Sequence, residues 1–361
     1  MTHRSIGPAS GLAIIVLLGL LGLLAAPSSP RLAAADSPCA IENVDRIVAI
    51  GDVHGAYQRL VDILRATGLI DAQLRWSGQA AHLVQLGDVV DRGPDSRQAL
   101  DLLRRLEAEA ALAGGAVHLL LGNHEVMLMA DDMRFVHPGE YRAFQSPDSE
   151  AMRRDFVRRA APALRSDLLN QMPLGYVEMR RAFDRQGVYG QWLGQHNVMT
   201  KINGLLFVHG GIPPALAGLA CDTVNATIRR EITTDLEKAL ADPRANLSGV
   251  GREDDGHLWN RQLAEEPDSF APQVNDILAK QNARAIVIAH TVTGDRRIRV
   301  RFGGRVFQID TGMQPDYVPT GRAAALNIER GVFTAIYLDR RDVLQAAPTA
   351  VPTAPRAPVP R

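Results

Sequence analysis

The apolar positions change period along this chain, and the changes mark out its elements. Ile47-Val48-Ala49-Ile50 is a short unbroken apolar run suited to a buried strand. Tyr57 to Thr67 then places Leu60, Ile63 and Leu64 at helical spacing and stops at Gly68. The pattern repeats: His82 to Leu86 predicts a strand. Asp95 or Ser96 can cap a helix with Leu100, Leu103 and Leu106 on one face, Gly114-Gly115 ends it, and Ala116 to Leu121 returns to strand. Strand–helix–strand alternation at this spacing indicates βαβ units and a largely parallel sheet covered by helices. From Val126 to His196 the strand signal disappears, which predicts an inserted helical cap. Val198 to Ile202 and Leu205 to Val208 flank Asn203-Gly204, a hairpin dipeptide. A helical stretch follows around Cys221 to Leu240, then a polar loop from Asp242 to Asp255 and a short helix from Val274 to Gln281. Five more strands are expected near the end, at Ala285–Ala289, Arg297–Phe302, Arg305–Ile309, Ala324–Ile328 and Val332–Leu338, supplying a second sheet.

The two ends read differently. Arg4 precedes an apolar run from Gly11 to Ala26, and Ala33-Ala34-Ala35 fits a signal-peptidase site, so residues 1–35 are expected to direct export to the periplasm or outside the cell. The alternative is an uncleaved membrane anchor, for which the run is short; a membrane partner is expected only in that case. Export allows, without requiring, a bridge between Cys39 and Cys221. Residues 346–361 are almost entirely Ala, Pro and Thr, too poor in apolar bulk to fold, and are expected to be a disordered tail behind a domain spanning 45–340. Basic and acidic residues balance at 40 each, so no nucleic-acid partner is indicated. Lys201, Lys238 and Lys280 are the only lysines and none follows a Gly, which excludes a Walker A loop. No Gly-x-Ser-x-Gly elbow, zincin motif or Cys-x-x-Cys occurs.

Chemistry concentrates where strands end. The first three strands run into Gly51-Asp52-Val53-His54-Gly55, Gly87-Asp88-Val89-Val90-Asp91-Arg92-Gly93 and Gly122-Asn123-His124-Glu125; two later ones run into His209-Gly210-Gly211 and His290-Thr291. Ligands of open α/β sheets collect outside the carboxyl ends of strands, so these clusters converge on one rim. Carboxylate, imidazole and amide oxygen together suit first-row metals such as Mn, Fe or Zn. Asp52 and His54 can hold one ion, Asn123, His209 and His290 a second, and Asp88 can bridge both. His124 is the candidate general acid with Asp91 orienting its ring, while Arg92 and Arg261 offer planar forks to phosphate oxygens. Asp310, before Thr311-Gly312, is a candidate support behind the ligands.

Taken together these motifs resemble the PPP-type branch of the calcineurin-like metallophosphoesterases, over about Arg46 to Gly312. Gly122 to Met127, Arg134-Phe135-Val136-His137-Pro138 and His257-Leu258-Trp259-Asn260-Arg261 further resemble bacterial Shewanella-like phosphatases. The resemblance implies an α/β fold, a four-layer αββα sandwich of two mixed sheets with a helical insertion at 126–196. It also implies two divalent or trivalent ions per chain and attack on phosphate monoesters by a metal-bridging hydroxide. A phosphopeptide, phosphoprotein or small phosphate ester is the expected partner. Hydrolysis of a nucleotide or dinucleotide polyphosphate is the alternative reaction, and a catalytically silent metal-binding scaffold the non-enzyme alternative. No Ser-Ala-Pro-Asn-Tyr segment follows His290, so the substrate choice and toxin sensitivity of the eukaryotic enzymes are not expected to carry over.

Overall fold

The structure is a computed structural model that describes residues 39–232 and 256–345. The expected export signal, the polar loop at 242–255 and the Ala/Pro-rich tail lie outside the described residues.

Two mixed sheets form the centre. The first has the order β12-β11-β10-β2-β3-β4, from β2 (Arg46–Ile50), β3 (His82–Gln85), β4 (Ala116–Leu119), β10 (Ala324–Glu329), β11 (Val332–Tyr337) and β12 (Arg341–Gln345). In the second the order is β1-β5-β6-β7-β9-β8, from β1 (Ala40–Ile41), β5 (Met199–Ile202), β6 (Leu205–Val208), β7 (Ala285–Ile288), β8 (Arg299–Arg301) and β9 (Val306–Gln308). Strands β2, β3 and β4 are parallel, as are β6, β7 and β9. Their carboxyl ends therefore point the same way within each sheet.

The unbroken apolar runs follow from burial on both faces. In β2, Ile47 and Ala49 enter the core between the sheets with Val84, Phe207 and Val287, whereas Val48 and Ile50 pack outward with Leu60 and Leu64 of α1 (Tyr57–Ala66). Phe307 and Phe333 stack between the sheets at 4.5 Å. On the outer face of the first sheet, α2 (Ser96–Leu112) joins α1 through Leu100, Leu103 and Leu106. The second sheet carries α9 (Cys221–Arg230) and α11 (Ala271–Lys280), with α10 (Gln262–Glu265) between them in sequence. This is the α/β sandwich that the resemblance implied.

The C-terminal strands depart from the sequence reading. They do not form a sheet of their own. β7 pairs with the hairpin strand β6, β9 with β7 and β8 with β9 in the second sheet, while β10 crosses back to pair antiparallel with β2 and completes the first. Strand propensity shows the segments but not their partners, because pairing is decided by non-local packing. The Asn203-Gly204 turn is as expected, with φ of 52° and 72° joining β5 to β6. The stretch after β4 is helical: α3 (Asn123–Met129), α4 (Pro138–Ala143), α5 (Ser149–Arg158), α6 (Arg165–Gln171), α7 (Tyr176–Phe183) and α8 (Val188–Leu193). A small core of Val157, Met172 and Val177 holds part of this insertion together. Cys39 and Cys221 are joined as a disulfide with Cα atoms 6.0 Å apart, tying β1 to the start of α9. Among the described residues no helix is long and apolar enough to cross a membrane.

Candidate metal centre and its surroundings

The loops after β2, β3, β4, β6 and β7 bring Asp52, His54, Asp88, Asn123, His209 and His290 into one buried cluster. Forming these loops strains the backbone. His54, Asp88, Asp91, Arg92 and His290 have φ of 49°, 53°, 68°, 65° and 63°, a region non-glycine residues rarely occupy unless their surroundings hold them there. Glu125, at the third position of α3, provides much of that hold. Its carboxylate accepts the backbone N–H groups of Gly122 (2.8 Å), Asp88 (2.8 Å), Val89 (2.7 Å) and Val90 (3.3 Å), a reach that caps α3 and fixes the loop after β3. Gly87 and Gly122 permit the approach: a Cβ on Gly87 would stand 2.3 Å from the Gly122 nitrogen, and one on Gly122 2.2 Å from Asp88 Oδ1.

The histidines are oriented with their lone pairs inward. His54 Nδ1–H donates to the Val90 carbonyl (2.9 Å) and His209 Nδ1–H to that of Leu86 (2.7 Å), so each presents Nε2 as an acceptor. His209 Nε2 lies 3.0 Å from Asn123 Oδ1 and 3.3 Å from Asp88 Oδ2; His54 Nε2 lies 3.7 Å from both Asp52 Oδ2 and Asp88 Oδ2. His54 Nε2 and His290 Nε2 are buried without a hydrogen-bond partner. Converging acceptors without donors between them repel one another unless a cation lies among them. Titration agrees for His54 and not for His209, which, against the effect of burial, the Asp88 carboxylate holds above its usual range. Burial pushes the His54 imidazole down to about 3, keeping its lone pair free, and burial with the Asp310 and Asp88 carboxylates pushes Asp52 well above its usual range. The residues present thus fit a pair of cations, in two groupings that share Asp88: one with His54 and His124, the other with His209 and His290. The first grouping also contains His124; Asp52 lies beside it, with Oδ2 3.7 Å from His54 Nε2 while Oδ1 accepts the His290 N–H at 3.0 Å.

His124 and Asp91 meet as expected, Nδ1 to Oδ2 at 2.6 Å, both fully buried; His124 Nε2 stands 3.9 Å from Asp88 Oδ2. Arg92 is half-buried at the edge of the cluster, with Phe135 and Tyr317 on its flanks. Arg261 reaches the opposite edge, donating from Nη1 to Thr291 Oγ1 (2.9 Å) and the His290 carbonyl (3.3 Å). The two forks thus stand at different edges of the site. Three other histidines are engaged elsewhere: His82 and His118 hydrogen-bond to each other at 3.0 Å, and His137 accepts the Gly139 N–H at the start of α4, whereas the His257 carbonyl accepts the Gly210 and Gly211 N–H groups next to His209 at 3.1 Å each.

Three further contributions surround the cluster. Asp310, expected as a support, accepts the Gly312 N–H at 2.9 Å through Oδ1, and its carboxylate lies close enough to Asp52 to push the Asp52 pKa up. Glu125 lies inside the Gly122-Asn123-His124-Glu125 motif with no role expected of it, and its position three residues after Gly122 is the available signal. Phe135 and Tyr317, each nearly half exposed beside a charged cluster, had no periodicity to betray them.

Comparison with known proteins places this geometry. The family described as calcineurin-like phosphoesterase matches residues 45–294. An uncharacterised protein of Schizosaccharomyces pombe is 30% identical over 298 residues, covering 79% of this chain and 77% of its own. The Shewanella-like protein phosphatase 1 of Plasmodium berghei is 28% identical over 272 residues, 74% of this chain and 67% of that one. Among solved structures, the cold-active protein-tyrosine phosphatase of a psychrophilic Shewanella species superposes with a TM-score of 0.67 at 27% identity, covering 85% of this chain and 82% of that chain.

Proposed function

The chain belongs to the calcineurin-like phosphoesterase family and is a metal-dependent phosphatase, and from that premise we propose that it removes phosphate from phosphorylated protein or peptide, preferring phosphotyrosine. The observation that carries this reading is the His124–Asp91 pair set against two metal-suited clusters that share Asp88.

Asp52, His54, Asp88, Asn123, His209 and His290 would hold the cations, with Asp310 behind Asp52; the mixed donors favour Mn, Fe or Zn. Bound cations supply charge toward the phosphoryl oxygens and a water of lowered pKa. Arg92 offers its planar fork to the non-bridging oxygens, and Arg261 is placed to do so from the other edge. His124 carries a proton at Nε2 to the leaving oxygen, while Asp91 accepts from Nδ1–H and stabilises the charged ring.

The leaving group must lie beside His124, and there the structure puts an aromatic wall. Phe135, 41% exposed, has its ring 5.2 Å from that of His124. A phenolic leaving group can stack on this face, whereas the short carbon of phosphoserine leaves it bare. The printed name of the Shewanella neighbour, a tyrosine phosphatase, supports the same preference. Export to an oxidising compartment is part of the proposal, and the Cys39–Cys221 bridge supports it. The test is kcat/KM on one peptide carrying phosphotyrosine or phosphoserine, beside a dinucleoside polyphosphate. Turnover of the phosphotyrosyl peptide should exceed the other two by about tenfold or more, the size of one aromatic contact with its buried area; exclusive cleavage of the dinucleotide would overturn the proposal.

A further inference from the structure

The segment from Asp310 to Arg322 lies beyond the residues matched by the family, yet it runs along the first metal-suited loop. Gln314 pins it there. Its Nε2 donates to the His54 carbonyl at 2.9 Å, its Oε1 accepts the Asp316 N–H at 3.0 Å, and its own carbonyl accepts the Val318 N–H at 2.8 Å. Arg59 closes the loop from below, with Nη1 2.9 Å from both the Met313 and Gly321 carbonyls. A segment held this firmly can present a side chain in a fixed place even at the surface.

That side chain is Tyr317. Its ring lies face-on to Arg92, with Cζ of the guanidinium 3.8 Å from the ring centroid, and edge-on to His54 at 5.8 Å. On the other flank Phe135 is 5.7 Å from the same Cζ, and the Arg92 N–H donates to the Phe135 carbonyl at 2.9 Å. Among the described residues the Arg92 guanidinium donates no hydrogen bond and forms no salt bridge. Its aim therefore depends on stacking, which grips the face of the fork and leaves the in-plane N–H groups open. A long arginine side chain without such a grip gives up rotamer entropy each time it binds. We propose that Tyr317 is a positioning residue that holds the Arg92 fork toward the substrate phosphate.

This inference rests on the reading of Arg92 as a phosphate-binding residue, and the experiment separates the two. The probe is inorganic phosphate as a competitive inhibitor of 4-nitrophenyl phosphate hydrolysis, because phosphate has no ring for Tyr317 to touch. Tyr317→Ala should raise both the phosphate inhibition constant and KM by about three- to fivefold, the equivalent of one exposed cation–π contact, with kcat changed less than about twofold. Tyr317→Phe should restore both to within about twofold, since it keeps the ring. In an Arg92→Ala background, Tyr317→Ala should add less than about twofold. An unchanged phosphate constant beside a raised KM would show that Tyr317 stacks on the substrate instead, and an undiminished effect without Arg92 would show that it acts elsewhere; either overturns the inference. If Arg92→Ala alone changes neither constant, the reading of Arg92 itself fails.

Discussion

Replacing Asp91 with Asn removes a charge without changing shape, and its cost can be worked from the geometry. Asp91 is buried, its Oδ2 lies 2.6 Å from His124 Nδ1, and its Oδ1 has no hydrogen-bond partner. A charge-assisted bond of this kind contributes about 1.5–3 kcal/mol, or about 10- to 10²-fold in rate if it strengthens as the ring holds its proton in flight. The whole proton transfer contributes about 10²–10⁴-fold, so Asp91→Asn should remove much of it and His124→Asn nearly all. The loss must depend on the leaving group. With phenyl phosphate, whose phenolate needs the proton, kcat should fall about 10²-fold for Asp91→Asn. With 4-nitrophenyl phosphate, whose anion leaves readily, the fall should stay under about tenfold. The assay is kcat across a series of substituted phenyl phosphates, with metal content measured on each variant. Equal losses across the series would refute the assignment of the acid, and loss of metal from His124→Asn would make His124 a ligand, as its place beside His54 and Asp88 also permits.

Other outcomes follow from single residues. Asp88→Asn should reduce bound metal below about one ion per chain by elemental analysis, because a carboxylate shared by both groupings loses its charge toward each; undiminished metal would contradict the shared role. Glu140, buried in α4 against Ser96 and facing Asp91 and Asp95, is pushed by burial up to about 8. The folded protein thus holds a proton that the unfolded chain releases from about pH 4.5 upward, and wild-type stability falls as pH rises through that window to 8. Glu140→Gln should therefore be stabilising by about 1–3 kcal/mol at pH 8 and near neutral at pH 4, read from thermal unfolding at both values; an identical pH dependence would sink this. Opening the Cys39–Cys221 bridge, which closes a sequence separation of 182, should cost about 2–5 kcal/mol, and two alkylatable thiols in the untreated protein would show that it never forms.

Much of the site was legible because its chemistry sits where the polypeptide advertises it. A strand buried on both faces must read as an apolar run, so the abrupt change to Gly, Asp, His and Asn after Ile50, Leu86 and Leu121 marks the rim directly. The Asn203-Gly204 turn was legible for a similarly local reason, since both residues need positive φ. What could not be read depends on distant partners. The His290 N–H meets Asp52 Oδ1 across 238 residues, and Asp310 reaches the same carboxylate by a strand whose sheet the sequence does not declare. The return of β10 to β2 is of this kind, as are the two-residue β1 and the half-exposed β12. Phe135 and Tyr317 belong to loops, where an aromatic residue has no period to break. Their meaning came only from the guanidinium between them.

The central claim is tested most directly by stripping the protein of metal and re-supplying Mn, Fe or Zn, with 4-nitrophenyl phosphate turnover and metal per chain measured on the same samples. The account predicts no turnover in the stripped protein and recovery that tracks the binding of about two ions per chain. Full turnover without metal, or two bound ions with no turnover of any ester, would contradict it.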